Sequence, residues 1–343
     1  MSDKKLDANL DKSANKNKKK VNKSNVIAFK KASIFLTKDG FDFENVINTI
    51  ESNCKRFTPA KSELYVVNCG FVPAFTTDGV DIENAELCRV IDGNAAIFKF
   101  RIDGKKVPAA ALERELEMRL DELSKTGDIS NITKEEKACI EAGLRDTMLE
   151  RAFATTTEIW GIITRDYIVV SVGDEGTSSL VTKHIRDFIS LPIEPLSVLS
   201  AKNIYNRKCG LELVDSVEKT LNELIVSDIF DSEIGLFSKS SFTITAGGGS
   251  YAVANGDENI PELIASVLSG DRQIKKATLE ERAYSCTFDS KKMNCLTTVK
   301  IHDITPPKEG GDDEEAWFNG TALICINAFD LHIGNMSGLC AKA

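Results

Sequence analysis

Residues 108–150 read PAAALERELEMRLDELSKTGDISNITKEEKACIEAGLRDTMLE, and this stretch decides the fold. Pro108 stands where a helix can start, because its fixed φ suits the first turn and its missing N–H costs nothing there. Leu112, Leu116, Leu120 and Leu123 then recur at four, four and three residues, which places them on one helical face. Thr126-Gly127-Asp128 breaks the pattern. Thr133 precedes Glu136 by three residues, the spacing of a capping box, and Ile140, Leu144 and Met148 follow at intervals of four. The spacing predicts an αα-hairpin whose arms are about four turns, on the order of 25 Å, long. Two such arms bury one seam between them, while Ala110, Met118, Ala138 and Leu149 remain on outer faces. A hairpin of this kind needs a further surface, either its own sheet or a second copy, and two copies would form a four-helix bundle.

On the N-terminal side, Val26–Phe29 through Ile34–Leu36 is strand-like, and Phe43, Val46, Ile47 and Ile50 share one helical face. Leu64–Val67 and Glu86–Ile91 read as strands, with Asp92-Gly93-Asn94 as a hairpin turn into Ala95–Ile102. On the C-terminal side, Glu158–Ile163 and Tyr167–Val172 read as paired strands about a Thr164-Arg165-Asp166 turn. Thr177 is read as the cap of a helix over Ser178–Ile189, stopped by Pro192 and Pro195. Ala246–Ser250 reads as a flexible break, and Ile260–Leu268 as a short helix from Pro261. Ala283–Phe288, Cys295–Ile301 and Leu323–Asn327 read as strands, and residues 306–315 as an acidic surface loop. Strands and helices mix without strict alternation, so the expected class is α+β with antiparallel sheets.

Charge is unevenly spread over the 343 residues, whose net charge is −9. The first 31 hold ten lysines against three aspartates, and the other 312 carry 33 basic and 49 acidic groups. That balance argues against a histone-like coat but leaves room for a local basic surface. Residues 1–24 are almost free of apolar side chains and read as a disordered basic arm, either a solubilising tail or a phosphate-contacting one. No apolar run reaches the roughly 18 residues that span a bilayer, and no apolar core follows the first lysines, so neither a membrane segment nor a secretory signal is expected. Nine cysteines without a CxxC pair read as reduced thiols of a cytosolic protein. His184, His302 and His332 are far apart and give a metal site or triad little to draw on.

Constellations for chemistry are thin. The Gly247–Gly249 run lacks the Gly-Lys-Ser/Thr ending of a phosphate loop. Asp312-Asp313-Glu314-Glu315 are adjacent acids in a Pro/Gly-rich stretch, whereas a two-metal site needs carboxylates converging from separate rigid elements. No cofactor, metal or catalytic residue is expected. Basic groups beside strands remain: Arg101 with Lys105 and Lys106, then Arg151, then Arg272 with Lys275 and Lys276. Each is either a solvated surface charge or one of several phosphate contacts facing one cavity.

Five pieces in order carry a resemblance to the RdgC family over residues 25–335. They are Phe71-Val72-Pro73-Ala74, Lys106-Val107-Pro108 ahead of the long helix, Glu150-Arg151-Ala152-Phe153, Ser190–Leu196 (SLPIEPL), and Ser269-Gly270 followed by basic residues and two strands. The chain departs from the family pattern at Glu150, where the family has proline, and at the uncharged Ser250–Gly256, where it has a basic stretch. Residues 199–219 look like an insertion, and the 1–24 arm is an addition.

The resemblance implies a ring-shaped homodimer with a hole wide enough for duplex DNA, closed by a sheet-type hinge and by a four-helix gate of paired hairpins. It implies sequence-independent binding of double-stranded DNA that restrains a RecA-type recombinase, the recombinase being affected indirectly through the shared DNA. The expected parts are the 1–24 arm, a central α+β domain (25–107 and 151–198), the hairpin gate (108–150) and a C-terminal α+β domain on the hinge side (199–343). Candidate DNA-binding residues are Arg101, Lys105, Lys106, Arg151, Arg272, Lys275 and Lys276, with Lys18, Lys19 and Lys20 of the arm. Candidate dimer residues are Leu112, Leu116, Leu120, Ile140, Leu144, Met148 and Phe153. The expected location is cytoplasmic and nucleoid-associated, without a membrane partner. Two other functions stay open: an interaction protein of this fold with reduced DNA binding, and a nuclease.

Overall fold

The computed structural model describes residues 25–37, 42–60, 65–76, 85–125, 132–189, 193–231, 235–246, 249–253, 262, 265–267, 269, 271–304 and 314–343. In chain order the first elements are β1 (Ala32–Thr37), α1 (Phe43–Asn53), β2 (Val67–Val72), β3 (Cys88–Val90), β4 (Ala95–Gly104), α2 (Ala109–Lys125) and α3 (Lys134–Arg151). Then come β5 (Thr155–Thr164), β6 (Tyr167–Val170), α4 (Glu175–Ile189), β7 (Ile193–Pro195), α5 (Val198–Lys208) and α6 (Leu221–Asp231). The last are β8 (Phe237–Ala246), β9 (Gly249–Val253), β10 (Ile274–Glu280), β11 (Tyr284–Asp289), β12 (Lys292–Ile301) and α7 (Glu314–Cys340). The chain forms a larger unit, Met1–Asn53 with Pro73–Phe98 and Trp160–Ala343, and a smaller one, Cys54–Val72 with Lys99–Ile159. Strands β4 and β5 each contribute one half to either unit. The class is α+β with antiparallel strand pairing.

In the larger unit the strand order from β6 is β6-β1-β12-β11-β10-β8-β9, with β7 also on β1. Register is set by pairs such as Ile34↔Val169 and Cys286↔Val299. The strands nearest β1 are buried on both faces. Ile34, Leu36, Ile97, Ile162 and Val169 join the core that includes α5 and α7, while the alternate residues Phe35, Phe98, Ile168 and Val170 are also buried. Strands covered on both sides lose the apolar–polar alternation and read as continuous apolar runs. Gly161 of β5 sits against the Phe98 ring of β4 so closely that an added Cβ would lie 2.0 Å from Phe98 Cζ. On α1 the buried set is Phe43, Val46, Ile47 and Ile50, the face that the spacing predicts, and the helix packs on α4 and β3.

Several local expectations are corrected. Val26–Phe29 is not strand; Ile27 and Phe29 are buried without ladder pairing, and the Trp160 Nε1 donates to Val26 O at 3.1 Å. The strand expected at Leu64–Val67 runs instead over Val67–Val72. The cap of α4 is Asp174, whose Oδ1 accepts from Thr177 N at 2.8 Å, so Thr177 lies inside the first turn. At the ends of the expected Ala246–Ser250 break, β8 and β9 pair as far as Ala246↔Gly249, while Gly247 and Gly248 lie outside the described residues. Most of the Ile260–Leu268 helix, the Thr126-Gly127-Asp128 break, the 1–24 arm and residues 306–313 lie outside the described residues. Glu314 and Glu315 belong to the first turn of α7, where Glu314 accepts from Asn25 and Glu315 pairs with Arg89.

The largest correction is α7. Leu323–Asn327 is not a strand but the middle of this 27-residue helix. Phe318, Ala322, Ile326, Phe329, Ile333, Met336 and Cys340 recur on its buried face at intervals of three and four. Gly320, Gly334 and Gly338, with Asn327 and Asn335, lower its intrinsic helix propensity, and packing against α5, α6 and β12 overrides that preference. Among the described residues no helix is long and apolar enough to cross a membrane.

Within this core, His332 is 1% exposed. Its Nδ1 is 3.1 Å from Tyr284 Oη and 3.9 Å from Cys286 Sγ, and Nε2 has no hydrogen-bond partner among the described residues. Burial pulls its pKa down to about 4. An unfolded histidine takes its proton near pH 6.5, so this contribution to stability is complete above that pH. It is lost as pH falls toward 4, at about 1.4 kcal/mol per unit, to a total of about 3 kcal/mol. Chemical denaturation of the protein and of His332→Phe at pH 7 and pH 4.5 checks this. The stability lost between the two pH values is expected to be smaller in the variant, and equal losses would exclude the role.

Candidate nucleic-acid interface

The smaller unit is built from β2, the second half of β4, the helices α2 and α3, and the first half of β5. Cys69↔Ile102 and Phe71↔Phe100 set the β2–β4 register. Gly70 lets β2 lie against the Phe57 backbone, where a Cβ would come within 2.7 Å. Burial pulls the pKa of Lys99 down, opposed by the charge of Glu158.

Past Phe100 β4 stays paired with β2 as far as Val67↔Gly104, and over this stretch the sequence turns basic. Arg101 lies two residues before Asp103 and so projects on the same side of the strand. Its Nε and Nη2 donate to the two oxygens of Asp103 at 2.9 and 3.0 Å, and Nη2 also reaches Thr156 Oγ1 at 3.3 Å. Thr156 Oγ1 donates to Asp103 Oδ1 at 2.8 Å, and the guanidinium stacks 4.6 Å above the Phe57 ring. Burial pushes the Asp103 carboxyl up, but the hydrogen bonds from Arg101 and Thr156 outweigh it and hold the group below the usual range. The hydrogen bond to Asp103 in turn raises the Arg101 pKa.

Four residues past Gly104, the end of β4, the chain enters α2 by way of Pro108, whose carbonyl accepts from Ala111 and Leu112. Lys105 reaches across to the end of α3. Its Nζ donates to Leu149 O at 3.0 Å and Glu150 O at 3.3 Å and lies 5.1 Å from the Tyr65 ring centroid. The start of α3 carries the expected capping box between Thr133 and Glu136.

A cleft of about 610 Å³ opens between this segment and the two helices. Its apolar lining includes Leu112, Leu116 and Leu149, and its charges are Lys105, Lys106, Lys137, Arg145, Glu113 and Glu141. Arg145 Nη2 pairs with Glu141 at 2.8 Å. Lys106 and Lys137 are exposed and have no ion pair among the described residues. The sequence reading nominated Lys106 but missed Lys137 and Arg145. Their signal was present: Lys137, Glu141, Arg145 and Leu149 recur every four residues on one face of α3.

The other nominated residues divide as follows. Arg151 is exposed on the last turn of α3. Arg272, Lys275 and Lys276 lie in the larger unit at the start of β10, where Lys275 Nζ donates to Ser250 Oγ at 2.7 Å. Lys18, Lys19 and Lys20 are outside the described residues. Of the nominated dimer residues, Leu112 and Leu116 are buried, while Leu120, Ile140, Leu144 and Met148 are half-buried. Phe153, just after α3, is 97% exposed. Among the described residues no group of three or more His, Cys, Asp or Glu side chains is gathered to hold a metal ion.

Fold and site together define an α+β protein with a cationic cleft at the root of two long, mutually packed helices. A family model described as "Putative exonuclease, RdgC" matches residues 27–204, from the segment ahead of β1 into α5. That is more than half of the chain, and the protein belongs to the RdgC family. No curated protein matches the chain at a significant level.

Proposed function

We propose that the protein is a homodimer that binds duplex DNA without reading its sequence, and that it regulates homologous recombination by limiting the access of a RecA-type recombinase to that DNA. The family match carries this reading, since the family points to a recombination-related, DNA-binding role. The cleft supports it locally: Lys106 and Lys137 offer exposed ammonium groups without carboxylate partners among the described residues, on an otherwise acidic chain. Lysines that meet phosphates give affinity without sequence information. In this reading the α2–α3 pair is a hairpin gate, two copies pack as a four-helix contact, and the closed dimer rings the duplex. Band shifts with two unrelated duplexes across a salt series test the proposal. Equal, steeply salt-dependent affinities are expected. A dimer that fails to shift either duplex at low salt would instead be an interaction protein of this fold. The family description names an exonuclease, so magnesium-dependent loss of an end-labelled duplex would favour a nuclease.

The self-association has its own prediction. Phe153 is the most exposed large apolar side chain among the described residues, and Ile140, Leu144 and Met148 leave part of the α3 seam uncovered. An aromatic that anchors an interface costs about 2 kcal/mol or more when truncated, roughly a 30-fold weaker dimer. Phe153→Ala is therefore expected to dissociate more readily in sedimentation, and Leu144→Asp more so, with circular dichroism unchanged for Phe153→Ala. A wild-type monomer at micromolar concentration would defeat the dimer reading.

A further inference from the structure

Arg101, Lys105 and Lys106 occupy one short basic segment, yet their side chains have different surroundings. The ammonium of Lys105 has three N–H donors and no acceptor. Two point at the carbonyls of Leu149 and Glu150, 3.0 and 3.3 Å away, and the charge lies beside the Tyr65 ring. Those carbonyls belong to the last turn of α3, where the helix dipole is negative and the oxygens lack the donor four residues on; Leu149 O accepts from the cap residue Ala152 N at 3.2 Å and has a second lone pair for Lys105. Lys105 itself stands three residues before Pro108 and the start of α2. Its side chain therefore ties the strand that leads into α2 to the end of α3. Arg101 makes a parallel tie one step below, from β4 through Asp103 to Thr156 of β5. Lys106, exposed on the cleft, makes no such tie among the described residues.

We infer that Lys105 is a positioning residue that fixes the root of the α2–α3 pair, whereas Lys106 meets phosphate. The inference deepens the DNA-binding proposal and rests on it only for the second half of that division. The leverage is geometric: a 17-residue helix is about 25 Å long, so a tilt of about 10° at the root moves its far end by roughly 4 Å. A shift of that size misaligns any packing made along the helices, whatever their partner.

Two variants separate positioning from phosphate binding. Lys105→Met keeps the stem but removes the donors, and Lys105→Arg keeps donors for the same carbonyls. Hydrogen exchange is read on amides 149–156, and duplex affinity is read across a salt series. Lys105→Met is expected to speed exchange there about tenfold and Lys105→Arg to restore protection. Lys105→Met lowers DNA affinity with the slope against log salt unchanged, while Lys106→Met flattens that slope by about 0.9 for each phosphate it no longer neutralises. Unchanged exchange in Lys105→Met overturns the inference, and so does a slope flattened in that variant by about 0.9 or more. If the wild-type protein binds no duplex, the DNA reading fails, but the exchange measurement still decides the tie.

Discussion

Replacing Lys106 and Lys137 together by glutamate is expected to weaken duplex DNA binding by two orders of magnitude or more at low salt. Each lysine that neutralises a phosphate contributes about 0.9 to the slope of log affinity against log salt. With two phosphates per subunit, four per dimer, no longer neutralised, that slope should flatten by about 3.6, and the reversed charges then repel the backbone as well. The effect should exceed what net charge alone predicts, because the rest of the chain is already acidic. Lys183→Glu, on an exposed position of α4, serves as the control for charge and is expected to change affinity only slightly. Arg145 is the weaker target, since Glu141 already balances it. The 1–24 arm is the competing source of attraction, with eight lysines against three aspartates. If deleting it removes binding while the cleft variant binds normally, the phosphates are held by the arm and the cleft assignment is wrong.

What the sequence discloses about this site depends on which physical signal marks each residue. The two helices of the smaller unit were legible because their apolar residues recur at helical spacing and a capping box marks one start. The basic pair Lys105-Lys106 was legible from its place before Pro108. What one lysine does and the other does not was hidden, because the carbonyls that engage Lys105 lie 44 residues away along the chain. Arg101 could have been read differently: Asp103 is two residues along a strand, on the same side, and an internal ion pair was the simpler expectation. In α7 the misleading signal was local. An apolar run with isoleucines and glycines reads as strand or break, and only the three-and-four spacing of residues that meet α5, α6 and β12 marks it as helix. In the same way α5, within the segment read as an insertion, buries Ala201 and Ile204 in the main core.

Gly161→Ala is expected to destabilise the larger unit by about 3 kcal/mol, an outcome opposite to the usual effect of replacing glycine by alanine. The usual gain, about 0.4–1 kcal/mol, comes from restricting the unfolded chain. Here the new methyl carbon would lie 2.0 Å from Phe98 Cζ and 2.3–2.4 Å from the two Cε atoms, all well inside van der Waals distance. The ring has no free volume to retreat into, since Phe98 is completely buried on a strand covered on both faces. Removing the ring relieves the clash at its own cost: Phe98→Ala leaves a cavity worth about 3–5 kcal/mol. In the double variant Gly161→Ala/Phe98→Ala the added methyl occupies part of that cavity instead of striking the ring. The loss in the double variant should therefore fall short of the sum of the two single losses by about 2 kcal/mol, the sign expected for residues that touch directly. Equilibrium denaturation of the four proteins measures this coupling. Additive losses, or a Gly161→Ala protein as stable as the parent, would show that β4 and β5 do not pack at the distance described.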